Sequence, residues 1–254
     1  MGDNHQNPVL KYLRADRLPT MFCPGCGIGI VMTAFMRAVD ELELDPKSMA
    51  VITGIGCTGR IGGYLKMDSL HSTHGRALPA AIGAKAVRPD LRVVVFLGDG
   101  DGLSIGGNHL IHAANRNHDL CVIMVNNMIY GLTGGQASPT TPVDIKTTTT
   151  PTGNMNRPFD VCRLAVAAGA RYVSRWSTLY PRELKESIKK ALSGDGFRFV
   201  EALSQCPPEF GKLNDLRDAR NLAEWITIRT SYGIQALQEV VETGRLPVGE
   251  FVGA

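Results

Sequence analysis

The sequence predicts an α/β fold, a doubly wound and mostly parallel sheet with helices on both faces, from three observations. Residues 93–97 (VVVFL) and 121–125 (CVIMV) are short apolar runs that stop at polar or glycine residues, as strands buried on both faces do. Between them, residues 108–117 place Leu110, Ile111, Ala113 and Ala114 on one helical face, with Gly106, Gly107 and Asn108 offering a helix start. That strand, helix, strand unit is then continued by further alternating patterns on either side. With 254 residues, 44% apolar and 20% charged, the chain can bury one full α/β core.

From the N-terminus, Phe22-Cys23-Pro24-Gly25-Cys26-Gly27 is a Cys-x-x-Cys that leads directly into a helix over residues 28–42, where Ile28, Val31, Met32, Phe35, Val39 and Leu42 recur at helical spacing. The amides and dipole at that helix start favour thiolate and anionic sulfur. Residues 49–53 read as a strand that ends in Gly54-Ile55-Gly56-Cys57-Thr58-Gly59-Arg60-Ile61-Gly62-Gly63, a glycine density suited to close approach by a ligand. His71-Ser72-Thr73-His74-Gly75-Arg76 precedes a small-residue helix at 77–87, and Arg88-Pro89-Asp90 turns the chain into the next strand. After Gln136 the composition shifts to Ser, Thr and Pro, so residues 137–158 are expected to form a long ordered or partner-covered loop. A helix at 159–168, a strand at 172–174, a helix at 181–192 opened by Pro181 and a strand at 197–203 follow. Residues 222–241 read as a helix; 245–254 carry no pattern, and the chain has no internal repeat.

A formal charge of +3 with scattered basic residues gives no basis for nucleic-acid binding. The first twenty residues lack the apolar centre of a signal peptide, and no apolar run reaches the roughly 18 residues of a membrane helix, so a cytoplasmic, membrane-free protein is expected. Structural disulfides are rare in that compartment, which moves metal or redox use of the six cysteines forward.

In open parallel sheets the ligand crevice lies beyond the carboxyl ends of the strands, where both Gly98-Asp99-Gly100 and Asn126-Asn127 fall. Neighbouring strands are about 4.8 Å apart. Asp99 and the Asn127 amide can therefore converge on one hard cation, leaving positions for a backbone carbonyl, water and two phosphate oxygens: a magnesium–diphosphate site. The plainer alternative is a pair of Gly-Asp and Asn-rich turns capping strands. Cys23, Cys26, Cys57 and Cys206 fall at element ends beside turn residues, whereas Cys121 and Cys162 sit within apolar patterns. Four such thiolates suit zinc or a [4Fe–4S] cluster, and Cys-Pro-Gly-Cys opening a helix also suits a redox dithiol; the cysteines alone leave cluster, zinc, dithiol and inert thiols open.

On CPGCG (23–27), GIGCTGR (54–60), HGRALPAAIGAK (74–85), GDGD (98–101) and NNMIYGLTGGQ (126–136), the chain resembles, over nearly its whole length, the β subunit of the 2-oxoacid:ferredoxin oxidoreductases. The GDG and NN pair resembles the signature of thiamine-diphosphate enzymes. The resemblance implies a single thiamine-diphosphate-binding domain of the pyrophosphate type over 1–254, with its Cys-x-x-Cys cluster segment at 20–60 and a cluster-ligand and helical tail at 204–254. It implies magnesium held by Asp99, Asn127 and the Ile129 carbonyl, and a cofactor cradle of Gly56, Cys57, His74, Gly98, Asp99, Gly100, Asp101, Asn127, Ile129, Gly131, Leu132 and Thr133. One [4Fe–4S] cluster would take Cys23, Cys26, Cys57 and Cys206. A partner α chain would supply the aminopyrimidine site and its activating Glu, giving a hetero-oligomer.

The activity implied is oxidative decarboxylation of a 2-oxoacid with coenzyme A, its electrons leaving singly through the cluster to ferredoxin. Arg60 is the candidate for gripping the distal carboxylate of 2-oxoglutarate, which would give succinyl-coenzyme A. His74 and Thr133 are candidates for contacting substrate or diphosphate. Gly134 stands where some family members carry a basic residue, which keeps pyruvate or a branched-chain 2-oxoacid as the alternative substrate. A zinc-stabilised, non-catalytic interaction subunit and a non-redox thiamine enzyme are the readings from other classes.

Overall fold

The structure, a computed structural model, describes residues 7–232 and 245–252. One sheet contains β1 (Met49–Thr53), β2 (Asp68–His71), β3 (Arg92–Gly98), β4 (Leu120–Asn126), β5 (Tyr172–Ser177), β6 (Phe197–Leu203), β7 (Thr230–Tyr232) and β8 (Leu246–Val252), in the order β2-β1-β3-β4-β6-β5-β8-β7. Every neighbouring pair is parallel except β5 with β8. The helices are α1 (Ile28–Glu41), α2 (Ile61–Tyr64), α3 (Ala77–Val87), α4 (Asp99–Leu103), α5 (Gly107–Asn115), α6 (Val161–Ala167), α7 (Pro181–Ser193) and α8 (Ala219–Ile228).

The period-two alternation of the strands assigns each residue to one of two cores. Val94 and Phe96 of β3 face a layer built with α1 and α7, while Val93, Val95 and Leu97 face a layer built with α3, α5 and α6. α1 presents Ile28, Val31, Met32, Phe35 and Val39 to the first layer, where Phe35 meets Phe96 edge to face at 5.2 Å between ring centres. Side chains of this size each contribute about 1.5–3 kcal/mol when fully buried, so one helical stripe holds α1 on the sheet. α6 starts at Asp160, whose side chain accepts from the Arg163 amide. A third, smaller cluster of Met128, Ile129, Cys206, Phe210, Leu222 and Ile226 sits apart from both layers.

The fold matches the sequence reading, with local differences. β2 was not expected: all four of its residues are exposed, so it carries no apolar run. The helix expected at 222–241 is α8, which begins at Ala219 and ends at Ile228, because the chain then enters β7 and pairs with β8; residues 233–241 of that expectation lie outside the described residues. The patternless segment after 245 is β8, which covers the edge of β5 by antiparallel pairing. Residues 137–158 contain neither helix nor strand, and their polar side chains are paired internally: Ser138, Thr140, Thr141, Thr147 and Asn154 are all buried and hydrogen-bonded.

Candidate active site

The chain reverses its winding between β1 and β3, and the crevice that such a switch point opens is lined by the segments that follow β1, β3 and β4. They enclose a cavity of about 340 Å³. All twelve residues expected to cradle the cofactor line it: Gly56, Cys57, His74, Gly98, Asp99, Gly100, Asp101, Asn127, Ile129, Gly131, Leu132 and Thr133. Ile55, Thr58, Tyr130 and Gln136 complete the lining.

Asp99 is the first residue of α4 and is 2% exposed. Burial pushes its carboxyl up to about 6, against the opposing hydrogen bonds of Ser138, Thr140 and the local amides. Thr140 Oγ1 stands 2.7 Å from Asp99 Oδ2. Across the crevice, Met128 adopts a left-handed φ of 61°, a turn that folds the Ile129 carbonyl back toward Asn127. One terminal atom of the Asn127 amide lies 3.2 Å from Asp99 Oδ1 and 2.6 Å from the Ile129 carbonyl oxygen. With nitrogen in that place, both contacts are hydrogen bonds. With oxygen there, three oxygens converge and a cation is needed to hold them. Octahedral magnesium at about 2.1 Å from its ligands sets adjacent oxygens about 3.0 Å apart, so this donor set fits the ion.

Asp101 ties the walls together. Its Oδ1 accepts from the amides of Gly75 at 2.7 Å and Ile55 at 3.3 Å, joining the segments after β1 and before α3 to the GDG turn. His74 Nδ1 is 2.8 Å from the same oxygen without hydrogen-bond geometry, and Nδ1 and Asp101 Oδ2 are both buried without a hydrogen-bond partner. Burial raises the Asp101 carboxyl, and the Gly75 and Ile55 amides oppose it. A Cβ at Gly54 would stand 1.7 Å from Asp101 Oδ2, so glycine alone permits this closure. Tyr130 closes the other side, its hydroxyl donating to the Gly100 carbonyl at 3.0 Å. Thr133 lies on the exposed rim, donating to Gln136 Oε1 at 2.6 Å. Arg60 is exposed and is not part of the cavity wall; its charge opposes the burial-driven rise of the Cys57 thiol.

The four element-end cysteines lie in one another's field. Burial pushes the Cys26 thiol up to about 11; the Ile28 amide opposes this, and the thiolates of Cys206, Cys57 and Cys23 add to it. Cys57 lines the cavity, and Cys206 Sγ lies 3.3 Å from where a Cβ on Gly131 would stand, so these two cysteines share a wall with the cavity. Tetrahedral zinc, at about 2.3 Å from sulfur, needs thiolates about 3.8 Å apart. Among the described residues, no three His, Cys, Asp or Glu side chains close on a single ion. A cuboidal [4Fe–4S] cluster takes four thiolates, one to each iron, and Cys23, Cys26, Cys57 and Cys206 offer that donor set. Cys121 and Cys162 are fully buried in the core, as their apolar contexts predict.

Tyr130, Thr58, Gln136 and Thr140 were not singled out from the sequence. Tyr130 and Gln136 fall within the NNMIYGLTGGQ segment, which was a signal for them; Thr140 sits in a Thr-rich loop whose composition marks no one position.

The fold and this cavity at the switch point lead to the class. The thiamine pyrophosphate enzyme family, C-terminal TPP binding domain, matches residues 48–202, and the chain belongs to it. The 2-oxoglutarate synthase subunit KorB of Methanocaldococcus jannaschii is 49% identical over 248 residues, covering 97% of this chain and 92% of that one. The 2-oxoacid:ferredoxin oxidoreductase subunit beta of Saccharolobus solfataricus is 43% identical over 188 residues, 73% of this chain and 62% of that one. Among solved structures, a 2-oxoglutarate:ferredoxin oxidoreductase from Magnetococcus marinus, with 2-oxoglutarate, coenzyme A and succinyl-CoA bound, superposes with a TM-score of 0.87 at 32% identity, covering 98% of this chain and 86% of that one. Within the class, the chain belongs to the KorB family of 2-oxoglutarate synthase subunits.

Proposed function

We propose that this chain is the thiamine-diphosphate-binding β subunit of a 2-oxoglutarate:ferredoxin oxidoreductase, converting 2-oxoglutarate and coenzyme A to succinyl-CoA and CO2. Cys23, Cys26, Cys57 and Cys206 would hold a [4Fe–4S] cluster, which would supply one-electron transfer toward ferredoxin. The observation that carries this reading is the shared wall: the three-oxygen point of Asp99, Asn127 and Ile129 opens into the cavity that Cys57 lines and that Gly131 separates from Cys206.

Thiamine diphosphate, when bound, supplies the carbon nucleophile and the electron sink for decarboxylation. This chain's residues hold and orient it. Asp99, the Asn127 amide oxygen and the Ile129 carbonyl would hold magnesium, which would neutralise the charge of the diphosphate. His74, whose Nδ1 sits 2.8 Å from Asp101 Oδ1, lines the cavity and is proposed to hold substrate or diphosphate, and Thr133 offers a rim hydroxyl. Arg60, exposed beside Cys57, is proposed to reach the distal carboxylate of 2-oxoglutarate from the rim, in bidentate pairing. The walls present only the metal and diphosphate half of a thiamine site, so an α subunit is proposed to complete it over the apolar rim residues Ile55 and Leu132, 36% and 39% exposed. The complex is proposed to work in the cytoplasm; among the described residues no helix is long and apolar enough to cross a membrane.

The test is metal and cofactor analysis of the complex purified without oxygen. Iron and acid-labile sulfide in about four atoms each per chain are expected, with bound thiamine and magnesium. Zinc in place of iron would return the chain to the reading of a non-catalytic interaction subunit.

A further inference from the structure

Behind the metal-binding point lies a buried ion pair that does not touch the cavity. Arg175 and Glu201 are each 1% exposed, with Arg175 Nε donating to Glu201 Oε2 at 2.5 Å and Nη2 to Asp160 Oδ1 at 2.6 Å. Such a pair is a weak source of stability, since removing two charges from water offsets most of their attraction. This one is aimed at the active site. Glu201 Oε1 accepts from Asn126 Nδ2 at 2.6 Å, which fixes which way the Asn126 amide faces.

The oxygen of that amide is thereby turned to two groups. It accepts from the Met128 amide at 3.0 Å, at the left-handed residue whose turn brings the Ile129 carbonyl to Asn127 and Asp99. It also lies 2.9 Å from Thr140 Oγ1, the same hydroxyl that stands 2.7 Å from Asp99 Oδ2. Two of the three oxygens at the metal point thus trace back through Asn126 to Glu201. Reversing the amide would set its NH2 against the Met128 N–H, donor against donor, and release the turn. Neither Glu201, Asn126 nor Thr140 lines the cavity, so any effect they have on the cofactor is indirect.

We infer that Glu201, paired with Arg175, is a positioning residue for the magnesium–diphosphate site, acting through Asn126 on the Ile129 carbonyl and the Asp99 carboxylate. The inference rests on the proposed function, because it concerns the same metal point. Glu201→Gln is the smallest perturbation: the guanidinium of Arg175 captures the single amide oxygen, the amide NH2 faces Asn126, and Asn126 reverses. A second variant, Arg175→Met with Glu201→Leu, removes both charges and the acceptor together, an apolar exchange that is often neutral for folding.

The experiment is calorimetric titration of the whole complex, stripped of cofactor, with thiamine diphosphate at a series of magnesium concentrations, alongside melting temperature and iron content. In both variants the affinity is expected to fall at least about tenfold, the size of effect one lost buried hydrogen bond can carry. The magnesium concentration for half-binding should rise, with iron content unchanged. A merely structural role would instead make loss of affinity follow loss of melting temperature. Wild-type affinity in the folded Met/Leu variant overturns the inference, whatever Glu201→Gln does. Absence of magnesium-dependent binding in the wild-type complex overturns the proposed function itself, so the two failures are distinguishable.

Discussion

Asp99→Asn separates what the site contributes to stability from what it contributes to function. Burial lifts this carboxyl from 3.8 to about 6, a difference equivalent to about 3 kcal/mol once it is ionised. Because the folded value is the higher one, the favourable contribution of Asp99 is complete below about pH 4 and is lost as pH rises through about 6. Above that, the cation-free protein holds an unneutralised buried carboxylate, a cost of up to about 3 kcal/mol that a divalent cation removes. Asparagine keeps the shape, accepts from Thr140 with its oxygen and sets its NH2 toward the Asn127 amide, 3.2 Å from this position in the wild type. In thermal melts of the complex with chelator at about pH 8, the variant is expected to melt above wild type, the gap closing as pH falls through about 6. Magnesium with thiamine diphosphate should then raise the wild-type melting temperature and leave the variant unmoved. A variant that melts below wild type in chelator at about pH 8, or one still stabilised by magnesium, would refute the reasoning.

Three further outcomes are expected. Gly54→Ala should abolish tight thiamine diphosphate binding while leaving a folded sheet, since its Cβ would stand 1.7 Å from Asp101 Oδ2; calorimetry showing unchanged affinity would mean the GDG turn is not held by Asp101. Arg60→Leu should raise KM for 2-oxoglutarate at least about tenfold, the worth of a charge-assisted pair, and leave KM for pyruvate alone; an unchanged KM would confine Arg60 to its electrostatic influence on Cys57. In reduced, iron-free protein at neutral pH, iodoacetamide should alkylate exposed Cys23 well before Cys26, whose thiol is held protonated with a value near about 11, and peptide mass spectrometry that finds Cys26 modified first would contradict that environment.

Much of the site was legible because its chemistry is carried by short segments at strand ends. GDG after β3 and NN after β4 need only two strands and a crossover helix to be placed side by side, and both motifs are local in sequence. The cysteines were separable for a similar reason: Cys121 and Cys162 sit in apolar patterns, while the other four sit beside turn residues. What the sequence hid depends on tertiary register. Glu201 lies within the strand expected at 197–203, where nothing local marks it, and its meeting with Asn126 follows from the parallel pairing of β6 with β4. Thr140 reaches Asp99 from a loop without secondary structure, and the Met128 turn shows only in its dihedral. β2 and β8 escaped for a different reason: exposed or mixed residues become strands there because a neighbouring edge offers pairing, which no local pattern records.

The central claim is that substrate oxidation at the cavity reduces a cluster on the four cysteines beside it. It is tested most directly by absorbance and EPR of the complex purified without oxygen, adding 2-oxoglutarate, then coenzyme A, with pyruvate as comparison. Bleaching of the iron–sulfur absorbance by 2-oxoglutarate, with a paramagnetic signal that coenzyme A alters, is the expected result. Bleaching by pyruvate alone would keep the chemistry and overturn the substrate. Intact, unoxidised protein without iron–sulfur absorbance would contradict the account.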